Sequence, residues 1–527
     1  MSLKKLFLLA LLINKNTRMI FSSKLAELKD KGFFENIEIS RGIEKESLRV
    51  KDNGRLSQSN HPKELGSPLT NKFITTDFSE ALIELVTPTF NSVDEVYEFL
   101  LDLHIFTANA MESDEVLWSN SMPCFVGDES EIRVAEYGSS NIGKLKNIYR
   151  KGLRVRYGSI MQCVAGIHYN FSIDDDSLKL FTKDLNKETK SDIYLGLIRN
   201  FKRNFWFLLY FFGASPIFDK SFVSGRNHSI KNRNKSDLYD EYATSLRMSE
   251  VGYQSYHQKA LDIKYNSLDS FIESLKKGIF EEYEVFKSLG LYDENNERQQ
   301  ISSGILQIEN ELYDSIRPKR KGASETRPIE LLSAKGIEYV EVRGIDLSPN
   351  TLTGISKSEM RLLDVFLIHC LITESESVSQ SEYDEMNKNY ETAIHSGSDL
   401  EQKLSFNGLE LSIRNKISNI SDELLMIAKE LNSVDPEFEK SVSDCLNMEN
   451  KSRQLLNNIL GSDNSFTENI LQESINKMNS LKGAKLKNET ILENERFKSV
   501  ELHKEIEAKK GVELNKYVEQ YNDKVRG

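Results

Sequence analysis

The sequence predicts an α+β fold in which antiparallel strands come first along the chain and helices follow. Two observations lead to this prediction. Several segments within the first 345 residues alternate apolar and polar side chains, as half-buried strands do, and they carry acids on one face. From about Leu352 onward the pattern changes to helices with charged exteriors. With 527 residues and 39% hydrophobic content, the chain has ample apolar material for a core.

The overall charge limits the kinds of partner. A net charge of -12 and a pI near 5.5 argue against a nucleic-acid surface and against a polybasic membrane anchor. The four cysteines lie far apart and form no C-x-x-C pair, so neither a zinc site nor a disulfide framework is indicated. We therefore expect a cytoplasmic protein that binds neither nucleic acid nor membrane.

The first 18 residues resemble a short signal sequence, because two lysines precede an apolar run from Leu6 to Ile13. This run is too short to span a bilayer and is followed by no small-residue cleavage site. We interpret residues 1–18 as a disordered leader or a wrongly assigned start, with translation from Met19. The apolar run Phe205–Phe212 is equally short and predicts a buried core segment.

The segment Ser40–Val50 is the first predicted strand with chemical interest. Glu44 and Glu46 are two residues apart, so in an extended chain they project from the same face. Two carboxylates that share one site repel each other unless a cation lies between them, and a divalent ion with oxygen ligands is the usual solution. The alternative is an edge strand whose glutamates face solvent.

A second acidic segment follows a predicted strand at Lys72–Thr76. On a helix, Asp77, Glu80 and Glu84 would share one face, although the sequence does not decide between a helical and an extended form. The alternative is an N-capping aspartate followed by solvated glutamates.

The region between two predicted long helices, Val93–Ser113 and Asp184–Phe212, contains a basic cluster and a histidine. Four cations lie within the segment Tyr149–Gly158, which predicts either a phosphate site that includes Arg150 or a solvated basic helix face. The next segment, Met161–Phe171, is predicted to be a strand. That strand would place Gln162, His168 and Asn170 on one face, with the histidine either a core residue or a metal ligand.

Further along the chain, Arg247 suits a carboxylate through its planar guanidinium group, or else a surface ion pair. The segment Ile305–Tyr313 is predicted to be a strand. The next segment, Arg317–Gly322, holds four cations in a loop that faces phosphate or solvent. In a strand at Gly336–Leu347, Glu341 and Arg343 share a face, where they form an ion pair or hold a metal and its bridged phosphate.

The C-terminal part is predicted to be helical, and its tail from Gly483 onward to carry one or two solvated, partly frayed helices. The predicted helices are Glu359–Thr373, Asp384–Ile394, Ile417–Leu431 and Phe466–Leu481. We therefore divide the chain into residues 1–18, a catalytic core at 19–350 and a helical part at 351–527. The sequence contains neither the P-loop nor the dinucleotide-binding glycine motif. Carboxylates, a histidine and several cations nevertheless suit an enzyme that uses ATP or another phosphate.

Seven motifs, in order, resemble the type 1 family of bacterial glutamate-cysteine ligases between about residues 24 and 349. These motifs are Arg41–Arg49, Thr75–Glu84, Ser121–Cys124, Gly166–Phe171, Phe212–Pro216, Leu306–Tyr313 and Ile337–Arg343. The resemblance implies a fold like that of glutamine synthetase, with a curved antiparallel sheet that forms a funnel, helices around it and a helical C-terminal part.

The resemblance also implies roles for particular residues. The magnesium ligands would be Glu44, Glu46, Asp77, Glu84, His168 and Glu341. Arg150 and Arg343 would contact the transferring phosphate, and Arg317, Lys319 and Arg320 would lie near the nucleotide. The cysteine pocket would be formed by Phe78, Tyr149, Tyr253 and Tyr313, while Gln162 and Arg247 would hold amino-acid groups.

The implied reaction joins the γ-carboxylate of L-glutamate to the amine of L-cysteine through γ-glutamyl phosphate, the first step of glutathione biosynthesis. It requires ATP and Mg²⁺, for which Mn²⁺ could substitute, and we expect a monomer. Three alternatives stay open: a γ-glutamyl ligase for another amine, a guanido-type kinase and a non-catalytic scaffold. Convergence of Tyr253 and Tyr313 near Arg247 and the metal ligands would favour cysteine as the acceptor.

Overall fold

The computed structural model describes residues 19–230, 232–323 and 326–526, so the expectations for residues 1–18 lie outside the described residues. The strands are β1 (Ile39–Lys51), β2 (Ile74–Thr76), β3 (Leu82–Val86), β4 (Glu115–Leu117), β5 (Ile167–Ile173), β6 (Ile217–Asp219), β7 (Asn232–Asn234), β8 (Asp237–Tyr239), β9 (Ile316–Lys319), β10 (Tyr339–Ile345), β11 (Lys403–Phe406) and β12 (Leu409–Ser412). The main sheet is antiparallel, has the strand order β2-β3-β1-β5-β10-β9, and is extended by β4 beside β1.

Helices surround this sheet and form nearly all of the C-terminal part. They are α1 (19–30), α2 (Phe33–Asn36), α3 (Val93–Ala110), α4 (Asn141–Tyr157), α5 (Asp175–Leu178), α6 (Lys187–Arg203), α7 (Phe205–Phe212), α8 (Leu268–Phe280), α9 (Glu284–Ser288), α10 (Pro328–Lys335), α11 (Lys357–Ile372), α12 (Gln380–Ser396), α13 (Ile413–Leu431), α14 (Phe438–Asn447), α15 (Lys451–Leu460), α16 (Phe466–Leu481), α17 (Glu489–Ala508) and α18 (Leu514–Asp523). The predicted α+β fold is confirmed. Among the described residues no helix is long and apolar enough to cross a membrane.

Strand β1 is the centre of the main sheet, because it pairs with β3 on one edge and with β5 on the other. Its apolar residues Ile43, Leu48 and Val50 are fully buried. A strand of 13 residues with neighbours on both edges holds its side chains in a fixed alternation, so its two glutamates share one face, as predicted.

The predicted single helix Asp184–Phe212 is divided into α6 and α7 at Asn204. The Asn204 side chain donates a hydrogen bond to the Asn200 carbonyl and so competes with the regular helical pattern. The apolar run that follows is a buried core segment, as predicted: Phe207 stacks on Phe366 of α11 with ring centroids 4.9 Å apart. Helix α11 is buried over almost its whole length beside the sheet.

Three local predictions were wrong. The segment Ile305–Tyr313 is not a strand but contains one 3-10 turn, and its alternating acids are buried because Glu309 binds Arg327 (2.7 Å). Gln162 lies in a 3-10 turn before β5 and not in the strand itself. The first half of the basic segment at 317–322 forms strand β9 and is not a loop.

The C-terminal helices confirm the four predicted there, with ends that differ by a few residues. The tail forms two helices, α17 and α18, that pack on the N-terminal part of the chain. Glu507 of α17 accepts hydrogen bonds from the backbone of Ser139 (2.9 Å) and Ser140 (2.8 Å), at the start of α4. Val518 of α18 is buried against Leu145 of α4.

Candidate active site

One pocket lies over the face of the sheet that carries the acids, between β1, β5, β10 and helix α4. It brings together most of the predicted site residues, which are Glu46, Asp77, Phe78, Tyr149, Arg150, Gln162, His168, Arg247, Tyr253, Tyr313 and Arg343. The strand register explains the convergence, because Glu44 is the cross-strand partner of His168 and Glu46 is that of Glu84.

Glu44, Glu84 and His168 form a group that could hold a metal ion. One ligand atom of each lies within 4.8 Å of the others. The His168 ring lies between the two acids of β1, with Nδ1 3.4 Å from Glu44 and Nε2 3.4 Å from Glu46. The strand prediction correctly placed both acids and the histidine on one face.

This group of residues carries an excess of negative charge. Burial raises the pKa of Glu84 well above its usual value, and repulsion from Glu44 and Asp77 adds to the shift. Burial likewise raises the pKa of Glu46, although His168 opposes that shift. A divalent cation would relieve this repulsion, and carboxylates with an imidazole are suitable ligands for one.

Asn170 is a polar residue of this group that the sequence analysis did not select as a site residue. Its Nδ2 donates to Glu44 (3.0 Å), while its buried Oδ1 has no hydrogen-bond partner among the residues that the structure describes. An amide oxygen without a donor, close to a cluster of acids, is consistent with a nearby cation. The signal was present in the sequence, because Asn170 follows His168 by two residues and shares its face.

Glu341 is the one predicted metal ligand that already has cationic partners. Lys319 lies 3.1 Å and Arg343 3.2 Å from its carboxylate. Burial alone would raise the pKa of Glu341, but these two cations hold it well below its usual value. The same-face pairing of Glu341 and Arg343 is confirmed, and the register of β10 against β5 shifts between Val342 and Ile345.

Arg343 joins the acidic group to the aromatic side of the pocket. Its Nη1 lies 3.3 Å from His168 Nδ1, and its Nε donates to the Tyr253 hydroxyl (2.7 Å). Arg317 donates to the same hydroxyl (3.2 Å). Two guanidinium groups therefore meet at one phenol oxygen beside the acids, where they could also contact an anionic ligand.

The basic segment of α4 contributes one arginine to the pocket. Arg150 donates to the backbone carbonyls of Asp77 and Thr76, and it stacks 4.7 Å from the Tyr137 ring. It thereby fixes the turn that presents Asp77. The nearby Arg156 is buried in an ion pair with Glu311 (3.0 Å), so the four cations do not form one phosphate site.

The aromatic side of the pocket is formed by two tyrosines in edge-to-face contact. The rings of Tyr253 and Tyr313 lie 4.8 Å apart at 82°. The Tyr313 hydroxyl accepts a hydrogen bond from Gln162 (3.0 Å). Phe78 and Tyr149 complete this wall, so the four predicted aromatic residues converge.

Arg247 lies in the same pocket, but most of its donor groups already bind other parts of the protein. Its Nε binds Asp346 (2.6 Å), and its Nη2 donates to two backbone carbonyls. A Cβ at Gly166 would lie 2.8 Å from Arg247 Nη1, so glycine leaves room for the guanidinium group where Asp346 holds it. Tyr253 and Tyr313 therefore do converge near Arg247 and the acids.

A few residues depart from the predicted pattern. Arg320 donates to the Gly336 carbonyl (2.6 Å) and lies 3.6 Å from Glu338, outside the residues that line the pocket. Glu80 accepts hydrogen bonds from the backbone of His61 and Glu136, so it does not join the acidic group. Asn310 lines the pocket but was missed, because it follows no periodic pattern in its irregular segment.

Buried acids and a histidine that face several guanidinium groups are typical of an enzyme site for an anionic substrate. Comparison with known proteins identifies the enzyme further. The glutamate-cysteine ligase family model matches residues 24–393. The chain therefore belongs to the glutamate-cysteine ligase family and is a ligase that joins glutamate to cysteine.

Individual relatives agree with this assignment. The chain is 44% identical to the glutamate-cysteine ligase of Pseudomonas putida over 392 residues, which is 73% of this chain and 74% of the relative. It is 41% identical to that of Hahella chejuensis, over 75% and 77% of the two chains. A crystal structure of the Francisella tularensis glutamate-cysteine ligase in complex with AMP matches with a TM-score of 0.85 and 34% identity, over 93% of this chain and 98% of that one.

Proposed function

We propose that the chain uses ATP to form γ-glutamyl phosphate and then transfers the γ-glutamyl group to the amine of L-cysteine, the first step of glutathione biosynthesis. One observation carries the proposal: two acids and a histidine line a single pocket together with guanidinium groups and the Tyr253–Tyr313 pair. The acids and the histidine are Glu46, Asp77 and His168, and the guanidinium groups are those of Arg150, Arg247 and Arg343. The relative from Francisella tularensis was solved with AMP, which supports a nucleotide substrate.

The chemistry explains why such a pocket needs cations. A carboxylate is a poor electrophile because its leaving group would be oxide, so the γ-carboxylate must first be phosphorylated. Arg343 stands beside the acidic group, where it would stabilise charge on the transferring phosphoryl oxygens. The amine of cysteine then attacks the acyl phosphate, and phosphate leaves. This sequence needs no nucleophile from the protein.

The acids of the sheet would hold the divalent ions, Mg²⁺ or Mn²⁺. Glu44, Glu84 and His168 provide the closest set, and the other predicted ligands are Glu46, Asp77 and Glu341. When bound, the ions would offset the negative charge of the nucleotide phosphates. Arg150 would act by keeping Asp77 in place as well as by its own charge.

The remaining predicted residues would bind the substrates. Arg317 and Lys319 lie beside Glu341 and would contact the nucleotide phosphates. Arg320 would lie near the nucleotide as well, beside the Gly336 carbonyl to which its Nε now donates. Phe78, Tyr149, Tyr253 and Tyr313 would enclose the cysteine side chain, while Gln162 and the free edge of Arg247 would hold amino-acid groups.

We also propose that the protein acts as a cytoplasmic monomer, with residues 19–350 as its catalytic unit. The four buried cysteines are free thiols, which suits a reducing compartment.

The test is ADP release by the full chain with ATP, glutamate and Mg²⁺ or Mn²⁺, with cysteine compared against 2-aminobutyrate and simple amines. We expect release that requires glutamate and the metal and is greatest with cysteine. If ADP release were greatest with another amine, that amine and not cysteine would be the acceptor. A folded protein that releases no ADP would contradict the proposal.

A further inference from the structure

The strand that carries Glu44 and Glu46 also buries a cation on its other face. Lys45 lies between the two acids and is only 3% exposed. Its Nζ donates to the Ser47 hydroxyl, which leaves two of its three N–H groups without an acceptor. In the part of the chain that the structure describes, no carboxylate oxygen lies within 4.0 Å of this nitrogen. Burial lowers the pKa of Lys45 to about 7. With or without its extra proton, the nitrogen keeps N–H groups that need an acceptor in this buried position.

A small cavity adjoins Lys45 and contains a second ammonium group. It lies between β1, α3 and α16, and Lys477 of α16 lines it together with His104 of α3. Lys477 Nζ donates to the Pro349 carbonyl (2.6 Å) and pairs with Glu473 (2.5 Å), so its third N–H remains available. The other walls are mostly apolar, including Leu117, Leu347 and Met478.

His104 offers the cavity a hydrogen-bond acceptor. Its Nδ1 lies 2.7 Å from the Leu100 carbonyl oxygen, which can only accept, so Nδ1 carries the hydrogen. Burial and the charge of Lys45 hold the pKa of His104 well below its usual value, so the ring is neutral. Its Nε2 therefore presents a lone pair, and this buried atom has no partner among the described residues.

We propose that this cavity binds a small oxyanion that keeps one hydroxyl hydrogen, of the hydrogen phosphate or bicarbonate kind. The ammonium groups of Lys45 and Lys477 would donate to its oxygens, and its hydroxyl would donate to His104 Nε2. A halide would leave Nε2 without a partner, and a water molecule would supply no negative charge. The small size and apolar walls exclude nucleotides and amino acids.

This site is separate from the catalytic pocket. Successive side chains of a strand point to opposite faces, so Lys45 lies behind the sheet while Glu44 and Glu46 lie in front of it. The cavity and the catalytic pocket share no lining residue. The anion site consequently does not depend on the proposed reaction, and either can fail without the other.

The test measures anion binding to the full chain by calorimetry, with inorganic phosphate and bicarbonate titrated separately at constant ionic strength, without nucleotide or divalent metal. We expect one of the two anions to bind saturably. Binding should weaken at least about tenfold in Lys45→Met, since two charge-assisted hydrogen bonds are lost. The matched control is Lys319→Met, which removes a lysine beside the catalytic acids and should leave this binding unchanged.

Two further measurements locate the bound anion and show whether the effect of Lys45→Met arises from misfolding. His104→Phe keeps a neutral aromatic ring at this position, and it should also weaken binding because the hydroxyl loses its acceptor. Crystals soaked in arsenate should show an anomalous peak beside Lys45 that is absent in Lys45→Met. Anion binding that Lys45→Met and His104→Phe leave unchanged, or an anomalous peak confined to the catalytic pocket, would overturn the proposal.

Discussion

The protein contains two clusters of identical composition that behave in opposite ways. Each has two glutamates and a histidine with ligand atoms within 4.8 Å of one another. The first is Glu44, Glu84 and His168, whose histidine lines the catalytic pocket, and the second is Glu250 with Glu391 and His395 of α12. The first is enclosed by the sheet, whereas the second lies near the protein surface. Composition and distance alone would assign a metal to both.

The two clusters differ in the charges that surround the histidine. In the second cluster, Asp240 and Glu250 each lie 3.2 Å from the His395 ring nitrogens. Burial alone would lower the pKa of His395, but hydrogen bonds to these acids raise it to about 9. The same contact with His395 lowers the pKa of Glu250 to about 2. His395 is thus itself the cation, and a protonated imidazole cannot bind a metal.

The catalytic cluster has no such internal balance, because a third carboxylate, Glu46, adjoins it and the pKa of Glu84 is raised. We infer from the comparison that the catalytic cluster is the better candidate for a metal, because the protein leaves its negative charge unneutralised. Among the proposed ligands Glu341 differs from the others, because Lys319 and Arg343 already lie beside its carboxylate.

The largest expected effect is the loss of turnover in Glu44→Gln. This change keeps the shape of the side chain but removes a charged ligand next to His168. We expect kcat to fall about 100-fold or more, the scale seen when a preorganised electrostatic group is removed. ADP release measures the effect, and circular dichroism checks the fold. Near-normal turnover in a folded variant would contradict the role of this acid.

The next largest expected effect is that a divalent metal stabilises the folded protein more strongly as the pH rises. Glu84 and Glu46 have raised pKa values in the folded protein, so metal-free protein should lose stability as the pH rises from 4.5 through those values. Mg²⁺ or Mn²⁺ replaces the retained protons, so its stabilising effect should grow over the same range. The lowered pKa of Glu341 acts in the opposite direction and only below pH 4.5.

Thermal unfolding with and without EDTA measures this effect. We expect the metal to raise Tm by about 2–4 °C at pH 8 and to have a much smaller effect near pH 5. In Glu84→Gln the dependence on pH should shrink. An equal rise in Tm at both pH values would show that the metal does not compete with these protons.

A smaller effect is expected from the second cluster, with stability that falls as the pH rises. The pKa of His395 is raised to about 9 in the folded state, above its ordinary value of 6.5. Its stabilising contribution is therefore complete below pH 6.5 and is lost as the pH rises through 9. We expect a loss of roughly 1–3 kcal/mol across that range, a figure discounted for partial exposure.

Urea unfolding at several pH values checks this prediction. His395→Gln should flatten the stability profile between pH 6.5 and 9 and leave ADP release at neutral pH unchanged. A wild-type profile that is already flat over this range would show that the ion pairs with Asp240 and Glu250 do not form in solution.

The smallest effect is expected for Glu391→Gln, the matched control for Glu44→Gln. Glu391 is partly exposed and lies 3.5 Å from Lys259. Surface ion pairs of this kind contribute at most about 1 kcal/mol. Turnover and Mn²⁺ binding, measured by electron paramagnetic resonance, should match the wild type. A loss of bound Mn²⁺ in this variant would mean that the second cluster also holds a metal.

Much of the fold and site could be predicted because strand alternation directly encodes which face a residue occupies. Glu44, Glu46 and Glu341 were placed correctly for that reason, and the helices after residue 352 follow a clear periodicity. The prediction for the segment at 305–313 was wrong because its alternating acids are buried by ion pairs. Glu309 binds Arg327, 18 residues later, and Glu311 binds Arg156, 155 residues earlier. Alternation of apolar and polar residues indicates that one face of a strand is buried. Acids that are buried in ion pairs can produce the same alternation without a strand.

Other features have no local signature at all. The balance of charge around His395 depends on Asp240 and Glu250, which are 155 and 145 residues away in the chain. The lack of a counter-ion for Lys45 depends on which groups α3 and α16 bring to β1. Both are properties of tertiary packing, so residue type and spacing cannot reveal them.

The backbone of Ser139 and Ser140 donates hydrogen bonds to Glu507, so the C-terminal tail supports a helix that lines the pocket. Helix α4 presents Tyr149 and Arg150 to the pocket, and its first turn is held by a residue more than 350 positions later. A premature stop codon near residue 485 would remove no pocket residue. In a genetic screen it would nevertheless resemble an active-site mutation.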